Sequence, residues 1–420
     1  SEAAAGAGTW AVRESDASAR TNNPIRAVVD GIVMPKPDPE KPLIPLSLGD
    51  PTVFGNLEPS TVLVEAISQS LRKGKSNGYI HAAGWPPARD AIAKRYSLPS
   101  KPLTGNDVVI SSGCSGAIDL AINVLLNPGD NIVLPKPAFA LYQTIAESRG
   151  VSCKFYDLLP ERQWEADLDA LEACIDADTK AILVNNPSNP CGSVYSKAHL
   201  EAILAIADRH KVPIIADEIY GNITFPGEEF HAMASLTSTV PVLSVGGIAK
   251  EFLVPGWRIG WVIVYDCNGV FEPIRRGLFK LSQLILTSCS LIQSALPAIL
   301  APEAGSEGEA ALKDFHDRTM ATLHENASFT ATEVAKIPGL TVVVPQGAMY
   351  VMFRIDVDAF ADIDDDVQFS QKLLNEEYVF VLPGSCFGIR NFCRIVFCAP
   401  KAQLASAFER MAVFCDRHRK

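Results

Sequence analysis

The sequence predicts an α/β fold: a mostly parallel central sheet covered by helices on both faces, joined to a smaller α+β domain. Three observations carry this. From Asp107 to Asp266, Val/Ile/Leu runs (VVISS, NIVLP, AILVNN, VPIIA, VPVLSV, WRIGWVIVYD) alternate with helical stretches, the pattern of buried strands joined by crossover helices. Polar and small residues recur at the C-terminal ends of those runs, where open α/β sheets bind ligands. Beyond Gly305 a long helical stretch leads into GLTVVVP, AMYVMFRI, YVFVLPG and FCRIVFCAP, which read as a separate, mainly antiparallel unit. The expected division is an N-terminal arm and part of the small domain at 1–59, a large ligand-binding domain at 60–305, and a C-terminal small domain at 306–420.

The chain has 420 residues, enough for a large core and more than one domain. At 48% hydrophobic and 20% charged it has the composition of an ordinary globular protein. Its net charge of −11 argues against a nucleic-acid partner. No apolar run approaches the roughly 20 residues of a transmembrane helix, so no membrane partner is expected. SEAAAGAGTWAVRESD has early acids and no apolar core, unlike an intact secretory signal; a transit peptide already removed stays open. Ten scattered cysteines form no CxxC and sit among apolar neighbours, as in LEACI and VFCAP. That predicts reduced thiols in a reducing compartment, the cytoplasm, with mitochondria as the alternative. Seven histidines form no HExxH and no Cys/His cluster, so no metal site is predicted.

Residues 1–22 are Ala/Ser-rich and are expected to be loosely ordered at the start. NPIRAVVDGIV reads as a helix entered through Pro24, and PKPDPEKP as a stiff linker. IPLSLGDPTVFGN predicts a short strand and a Gly/Pro turn; residues 60–73 follow as an amphipathic helix. SNGYIHAAGWPP is a loop presenting Tyr79. LRKGKS is not a phosphate loop, because Gln69 stands where the first glycine is required. VVISSGCSGAIDLAINVLL predicts a strand, a small-residue turn and a helix; further helices are expected from about Phe139 and over Ser196–His210. In SVGGIAKEFLVPGWRIG, Gly246 and Gly247 are expected to turn the backbone tightly as a strand ends.

Lys250 follows that strand end, and Arg258 stands between Gly256 and Gly260. A partly desolvated lysine amine is a nucleophile that forms a Schiff base with a carbonyl, most commonly that of pyridoxal phosphate. An arginine among small residues can grip two phosphate oxygens. Other strand ends add complementary groups. Gly113-Cys114-Ser115-Gly116 opens a helix whose free N–H groups suit a phosphate, with Ser115 and Gly116 as contacts. Phe139 offers a ring to stack on a planar heterocycle. Asn189 can donate to a phenolic oxygen, and the two Asn-Pro steps around it allow cis bonds. Asp217 is an acid at a buried strand end, suited to a pyridinium nitrogen, and Tyr220 can reach a ring hydroxyl. Each has an ordinary alternative: a surface lysine, an N-cap, a core ring, a turn residue, an ion pair. Their joint occurrence favours a pyridoxal phosphate site.

These residues resemble the fold-type I, aspartate-aminotransferase-like enzymes, and among them the tyrosine aminotransferases. The likeness rests on WAVRESD, NPIRAVVD, LSLGDPTVFGNLEP, SNGY, SGCSGAIDLA, NNPSNPCGSVYSK, ADEIYGNITF, SVGGIAKEFLVPGWRIGW, GAMYVM and FCRIV, and runs from Trp10 to the C-terminus. It implies pyridoxal 5'-phosphate bound through Lys250, which also acts as general base, with Asp217 on the ring nitrogen. It places Asn189 and Tyr220 at the ring oxygen, Phe139 over the ring, and Ser115, Gly116 and Arg258 at the phosphate. Arg394 would hold the substrate carboxylate, assisted by the backbone of Gly49. Arg26 would lie near the mouth of the site, as a contact for a distal carboxylate or as a solvated helix residue. Tyr79 would reach the phosphate of a neighbouring subunit, which implies a homodimer with shared sites. One departure stands out: the aspartate enzymes' phosphate-binding serine, three residues before the lysine, is Gly247 here, which leaves Ser244 as the candidate substitute. The implied activity moves the amino group of an aromatic L-amino acid, tyrosine foremost, to 2-oxoglutarate. Alternatives are a broad-specificity or alanine aminotransferase, a C–S lyase or decarboxylase of the same fold, and a purely binding homologue, which the intact Lys250 and Asp217 disfavour.

Overall fold

Alternate residues of the apolar runs face opposite ways in the computed structural model, which describes Trp10 and residues 12–420. Short β1 (Ile44–Pro45) precedes β2 (Val108–Ser112), β3 (Asn131–Lys136), β4 (Ser152–Leu159), β5 (Glu165–Ala166), β6 (Thr179–Asn185), β7 (Ile214–Asp217), β8 (Val242–Gly247) and β9 (Ile259–Tyr265). Strands β2 to β9 form one sheet in the order β2-β9-β8-β7-β6-β3-β4-β5. The run from β8 to β4 is parallel; β9 lies antiparallel between β2 and β8, and β5 is antiparallel at the far edge. Val109, Ile215, Leu243 and Val262 pack into one apolar cluster, while Val108, Ile110, Ile214 and Ile263 pack into another. Both faces are therefore apolar and both are covered, each fully buried Val, Ile or Leu contributing about 1.5–3 kcal/mol.

Helices α1 (Asp16–Arg20), α2 (Pro24–Val29), α3 (Thr61–Lys73), α4 (Pro86–Tyr96), α5 (Gly113–Leu125) and α6 (Leu141–Ser148) follow the local signals. Asn23 caps α2, its side chain accepting from the N–H groups of Ile25 and Arg26, with Pro24 in the first turn. α3 ends at Gly74 with φ 64°, a left-handed cap. Two expectations shift. The Ala/Ser-rich start carries α1, because Ser15 accepts from the Ser18 N–H and starts a turn; residues 1–9 lie outside those described. The helix expected from Phe139 starts at Leu141, since the Phe139 carbonyl accepts only a turn-type bond from the Tyr142 N–H.

Gly246 and Gly247 do not turn the chain. They are the last residues of β8, opposite Trp261 and Gly260 of β9. A Cβ on Gly247 would lie 2.5 Å from the Ile259 carbonyl oxygen, and one on Gly246 would lie 3.0 Å from the Trp261 indole nitrogen. Glycine serves close strand approach here rather than turning.

Beyond β9, the helix Glu307–Ala335 leads into β10 (Leu340–Val342), β11 (Tyr350–Ile355), β12 (Val379–Phe380), β13 (Leu382–Pro383) and β14 (Phe392–Val396). Four of these form an antiparallel sheet in the order β10-β11-β14-β13, while β12 pairs in parallel with β1. The N-terminal arm is thereby sewn to the C-terminal part of the chain. All ten cysteines are free, and Cys191, Cys386, Cys393, Cys398 and Cys415 are buried. Among the described residues no helix is long and apolar enough to cross a membrane, and no His/Cys/Asp/Glu group is arranged to hold a metal ion.

Candidate active site

The C-terminal ends of the parallel strands open on one cavity of about 420 Å³, closed on its far side by Arg394 and Leu382 of the small sheet and by Ile25 and Arg26 of α2. Of the candidate site residues singled out from the sequence, all but Gly116, Tyr79 and Ser244 line it.

One end is an anion cradle. β2 runs into α5 through Gly113 at φ 70°, and the Ser112 side chain does not cap the helix, so the first-turn N–H groups have no side-chain acceptor. Arg258, at φ 55° just before β9, donates to the Pro255 carbonyl at 3.0 Å and the Ser112 carbonyl at 3.4 Å. Its guanidinium fills the place of a Gly113 side chain: a Cβ there would be 2.4 Å from Nη2. A Cβ on Gly260 would be 2.2 Å from the Gly113 carbonyl carbon, so only glycine lets β9 bring the arginine this close. A helix N-terminus and an arginine fork thus stand side by side, which suits a phosphate. Ser115 faces the cavity. Gly116 instead packs on β2, where a Cβ would lie 3.3 Å from that of Ser111.

The middle is a buried acid. Asp217 ends β7 at 3% exposure. Tyr142 donates to Oδ2 at 2.6 Å, the Ile219 N–H to Oδ1 at 3.2 Å, and the Cys114 thiol to Oδ1 at 3.7 Å. Burial pushes the Asp217 carboxyl up, and these three donors work against that push. Burial also pushes the Tyr142 hydroxyl and the Cys114 thiol well up, so both keep their protons and donate. No described Lys, Arg or His pairs with Asp217, so its ordinary alternative, an ion pair, is absent among the described residues. Sequence reasoning missed Tyr142 and Cys114. The available signal was the spacing of three between Phe139 and Tyr142, whose rings meet edge-on at 5.7 Å.

The other end is a cation with no counter-ion among the described residues. Arg394, 4% exposed on β14, donates to the Asn189 carboxamide oxygen at 2.9 Å and to the Ser47 carbonyl at 2.7 Å. Its Nε is buried with no partner, and its guanidinium lies over the rings of Tyr350 at 4.5 Å and Phe387 at 4.8 Å. Burial lowers its pKa, with Tyr350 and Tyr220 opposing. A buried cation with no carboxylate beside it is a ready seat for an anion. The Asn189 oxygen is committed to Arg394, leaving its NH₂ to donate elsewhere. Both Asn186–Pro187 and Asn189–Pro190 are cis. Lys250 Nζ donates to the Gly49 carbonyl at 2.6 Å, and the Tyr220 and Tyr350 hydroxyls are 2.7 Å apart.

Arg26 stands at the rim, its side chain 75% exposed and 3.9 Å from Asp30. Tyr79 is 96% exposed on its loop and does not reach the cavity of its own chain. Ser244 is not a phosphate contact. It is 5% exposed within β8, donates to Glu218 at 2.6 Å, and does not line the cavity. Nor could a serine stand at 247, since the same 2.5 Å approach to the Ile259 oxygen excludes any Cβ.

The family described as "Aminotransferase class I and II" matches residues 41–411. A tyrosine aminotransferase of Homo sapiens is 47% identical over 410 residues, 97% of this chain and 88% of its own length. One of Dictyostelium discoideum is 46% identical over 98% of both chains. The crystal structure of tyrosine aminotransferase from Leishmania infantum has a TM-score of 0.91 at 34% identity, covering 98% of this chain and 100% of that one. A Thermus thermophilus aspartate aminotransferase double mutant has a TM-score of 0.78 at 26% identity, covering 96% and 97%. Fold and sequence agree along nearly the whole chain, and this protein belongs to the class I and II aminotransferases, with the fold-type I architecture.

Proposed function

We propose that the protein transfers the amino group of an aromatic L-amino acid, tyrosine foremost, to 2-oxoglutarate, using pyridoxal 5'-phosphate. The observation that carries this reading is one cavity faced by both Lys250 and a buried Asp217 that has no cationic partner among the described residues. The residues present fit the cofactor. The α5 N-terminus, Ser115, Gly116 and Arg258 would hold its phosphate, Phe139 would cover its ring, Asn189 and Tyr220 would reach its ring oxygen, and Asp217 its ring nitrogen. When bound, it supplies a carbonyl that takes up the amino group and a protonated ring that draws electrons from the substrate Cα. Asp217, whose three donors favour its charge against the opposing effect of burial, would hold the proton on the ring nitrogen. Lys250, oriented by the Gly49 carbonyl, carries a proton to and from the substrate Cα. Arg394 grips the α-carboxylate with its fork. Ile25, Val29, Leu48 and Ile118 line the same cavity and give an apolar wall for a ring. Arg26 at the rim meets the second carboxylate of 2-oxoglutarate.

The names of the human and Dictyostelium relatives support tyrosine as donor. The full exposure of Tyr79, with Leu284 and Ile285 at 74% and 77%, supports a homodimer in which Tyr79 reaches the partner's phosphate. The β1–β12 pairing supports assigning 1–59 and 306–420 to a small domain and 60–305 to a cofactor-binding one. Ten free cysteines suit a reducing compartment such as the cytoplasm.

The test is an amino-donor profile with 2-oxoglutarate as acceptor, followed by borohydride reduction and peptide mapping. Tyrosine heads the profile and the label falls on Lys250. Negligible tyrosine turnover overturns the donor, and a label on another lysine overturns the site. Hybrid dimers of Tyr79→Phe and Lys250→Ala chains recover activity above either parent if sites are shared.

A further inference from the structure

Tyr350 opens β11 opposite Val396 of β14 and is 2% exposed. Three parts of the site converge on it. Its hydroxyl is 2.7 Å from that of Tyr220, and the two rings meet edge-on at 5.6 Å. Its ring face carries the Arg394 guanidinium at 4.5 Å. Its hydroxyl also stands against Gly49, where a Cβ would be 2.9 Å away, and the Gly49 carbonyl accepts from Lys250.

A phenol has one proton to donate. With the Tyr220 proton directed to the cofactor's ring oxygen, the bond between the two phenols is donated by Tyr350. A phenol that accepts such a bond is a stronger donor through its own O–H. The ring acts separately. Stacking fixes a guanidinium in a plane at little entropic cost, and among the described residues Arg394 has no carboxylate partner to fix it otherwise.

We propose that Tyr350 is a positioning residue joining the two halves of the site: its hydroxyl donates to Tyr220, and its ring holds Arg394 ready for the substrate carboxylate. This rests on the pyridoxal phosphate reading above. The charged and titratable groups that bear on the Tyr220 hydroxyl are Tyr350 itself, Asp217 and Arg394.

The experiment compares holoenzymes of wild type, Tyr350→Phe and Tyr350→Leu. It reads the pH titration of the bound cofactor's visible absorption and the steady-state constants for tyrosine. Phenylalanine keeps the ring and drops the donor, so the titration midpoint rises by about half a pH unit while KM changes less than about twofold. Leucine drops both, so the midpoint rises equally and KM rises about tenfold. In a Tyr220→Phe background the further change to Phe at 350 leaves the midpoint where Tyr220→Phe alone puts it, because the two hydroxyls act in series. A wild-type midpoint in Tyr350→Phe, or a shift undiminished in the Tyr220→Phe background, overturns the hydroxyl's role. Equal KM in the Phe and Leu variants overturns the ring's. If the Leu variant does not fold, the Phe variant and the Tyr220 cycle still decide the hydroxyl. A wild type without a visible cofactor band overturns the cofactor reading and this inference with it, an outcome distinct from a normal band that Tyr350→Phe leaves unmoved.

Discussion

Tyr142 donates to Asp217 at 2.6 Å, and both residues lie in the interior of the fold, 75 residues apart in the chain. Leaving a carboxylate charged without water costs several kcal/mol unless hydrogen bonds replace it, and here a phenol, a thiol and one backbone N–H do so. Removing the phenol should therefore tell on the acid.

Tyr142→Phe keeps the ring against Phe139 and deletes one charge-assisted bond worth about 1.5–3 kcal/mol. Asp217 is then pushed further towards its neutral form. Affinity for pyridoxal phosphate falls about 10- to 100-fold, as equilibrium dialysis measures it, while the melting temperature of the cofactor-free protein changes little. Unchanged affinity would assign Tyr142 to packing alone.

Glu218, next in the chain, supplies a pH signature. Burial pushes its carboxyl up to about 7, against the Ser244 hydroxyl and the Met233 N–H that favour its charge. A carboxyl raised in the folded state holds a proton there that the unfolded chain has already released. The stability it contributes is full below the ordinary glutamate value and is lost as pH rises towards 7. Glu218→Gln removes that proton exchange, so the denaturation midpoint falls less steeply between about pH 4.5 and 7 than in the wild type. Parallel pH profiles for the two proteins would contradict this.

Gly260→Ala places a Cβ 2.2 Å from the Gly113 carbonyl carbon and 2.4 Å from the Cys114 nitrogen, both main-chain atoms that cannot swing aside. The variant loses about 1–3 kcal/mol or more of stability, melts several degrees lower, and binds the cofactor's phosphate poorly because α5 and Arg258 are forced apart. Gly256→Ala is the control, since a Cβ there meets nothing within 4 Å. Equal melting of the two variants would show that the close approach is not a constraint.

Arg26→Ala separates the two half-reactions. The side chain is 75% exposed, so a surface ion pair with a second carboxylate is worth about 1 kcal/mol. Its loss lowers kcat/KM for 2-oxoglutarate about fivefold and that for tyrosine less than about twofold. Equal losses for both substrates would make Arg26 a structural residue of α2.

Strand positions were readable in the sequence because a sheet covered on both faces leaves long apolar runs, and the strand-end residues followed from those runs. Lys250, Asp217 and Asn189 were legible because charge or amide groups are conspicuous beside VPVLSV, VPIIA and AILV. What was not legible depended on close approach in space. Gly246 and Gly247 look the same in a sequence whether they turn a chain or admit a neighbouring strand. Ser244 faces Glu218 because side chains alternate along β8, which a count of residues back from Lys250 does not reveal. Tyr142 and Tyr350 resemble any core aromatic until their hydroxyl partners, 75 and 130 residues away, are in view.

The carbonyl of Ser47 waits for a partner 347 residues further on, in Arg394, and β1 waits for β12. A ribosome adding about 5–20 residues per second separates Ser47 from Arg394 by roughly 17 to 70 seconds. For most of that interval the N-terminal arm has no strand to join, although every strand of the large sheet has been made once Tyr265 is added. The chain thus holds Arg258 and Asp217 long before Arg394 is added, and synthesis that stops short of Arg394 leaves the cavity without its buried guanidinium.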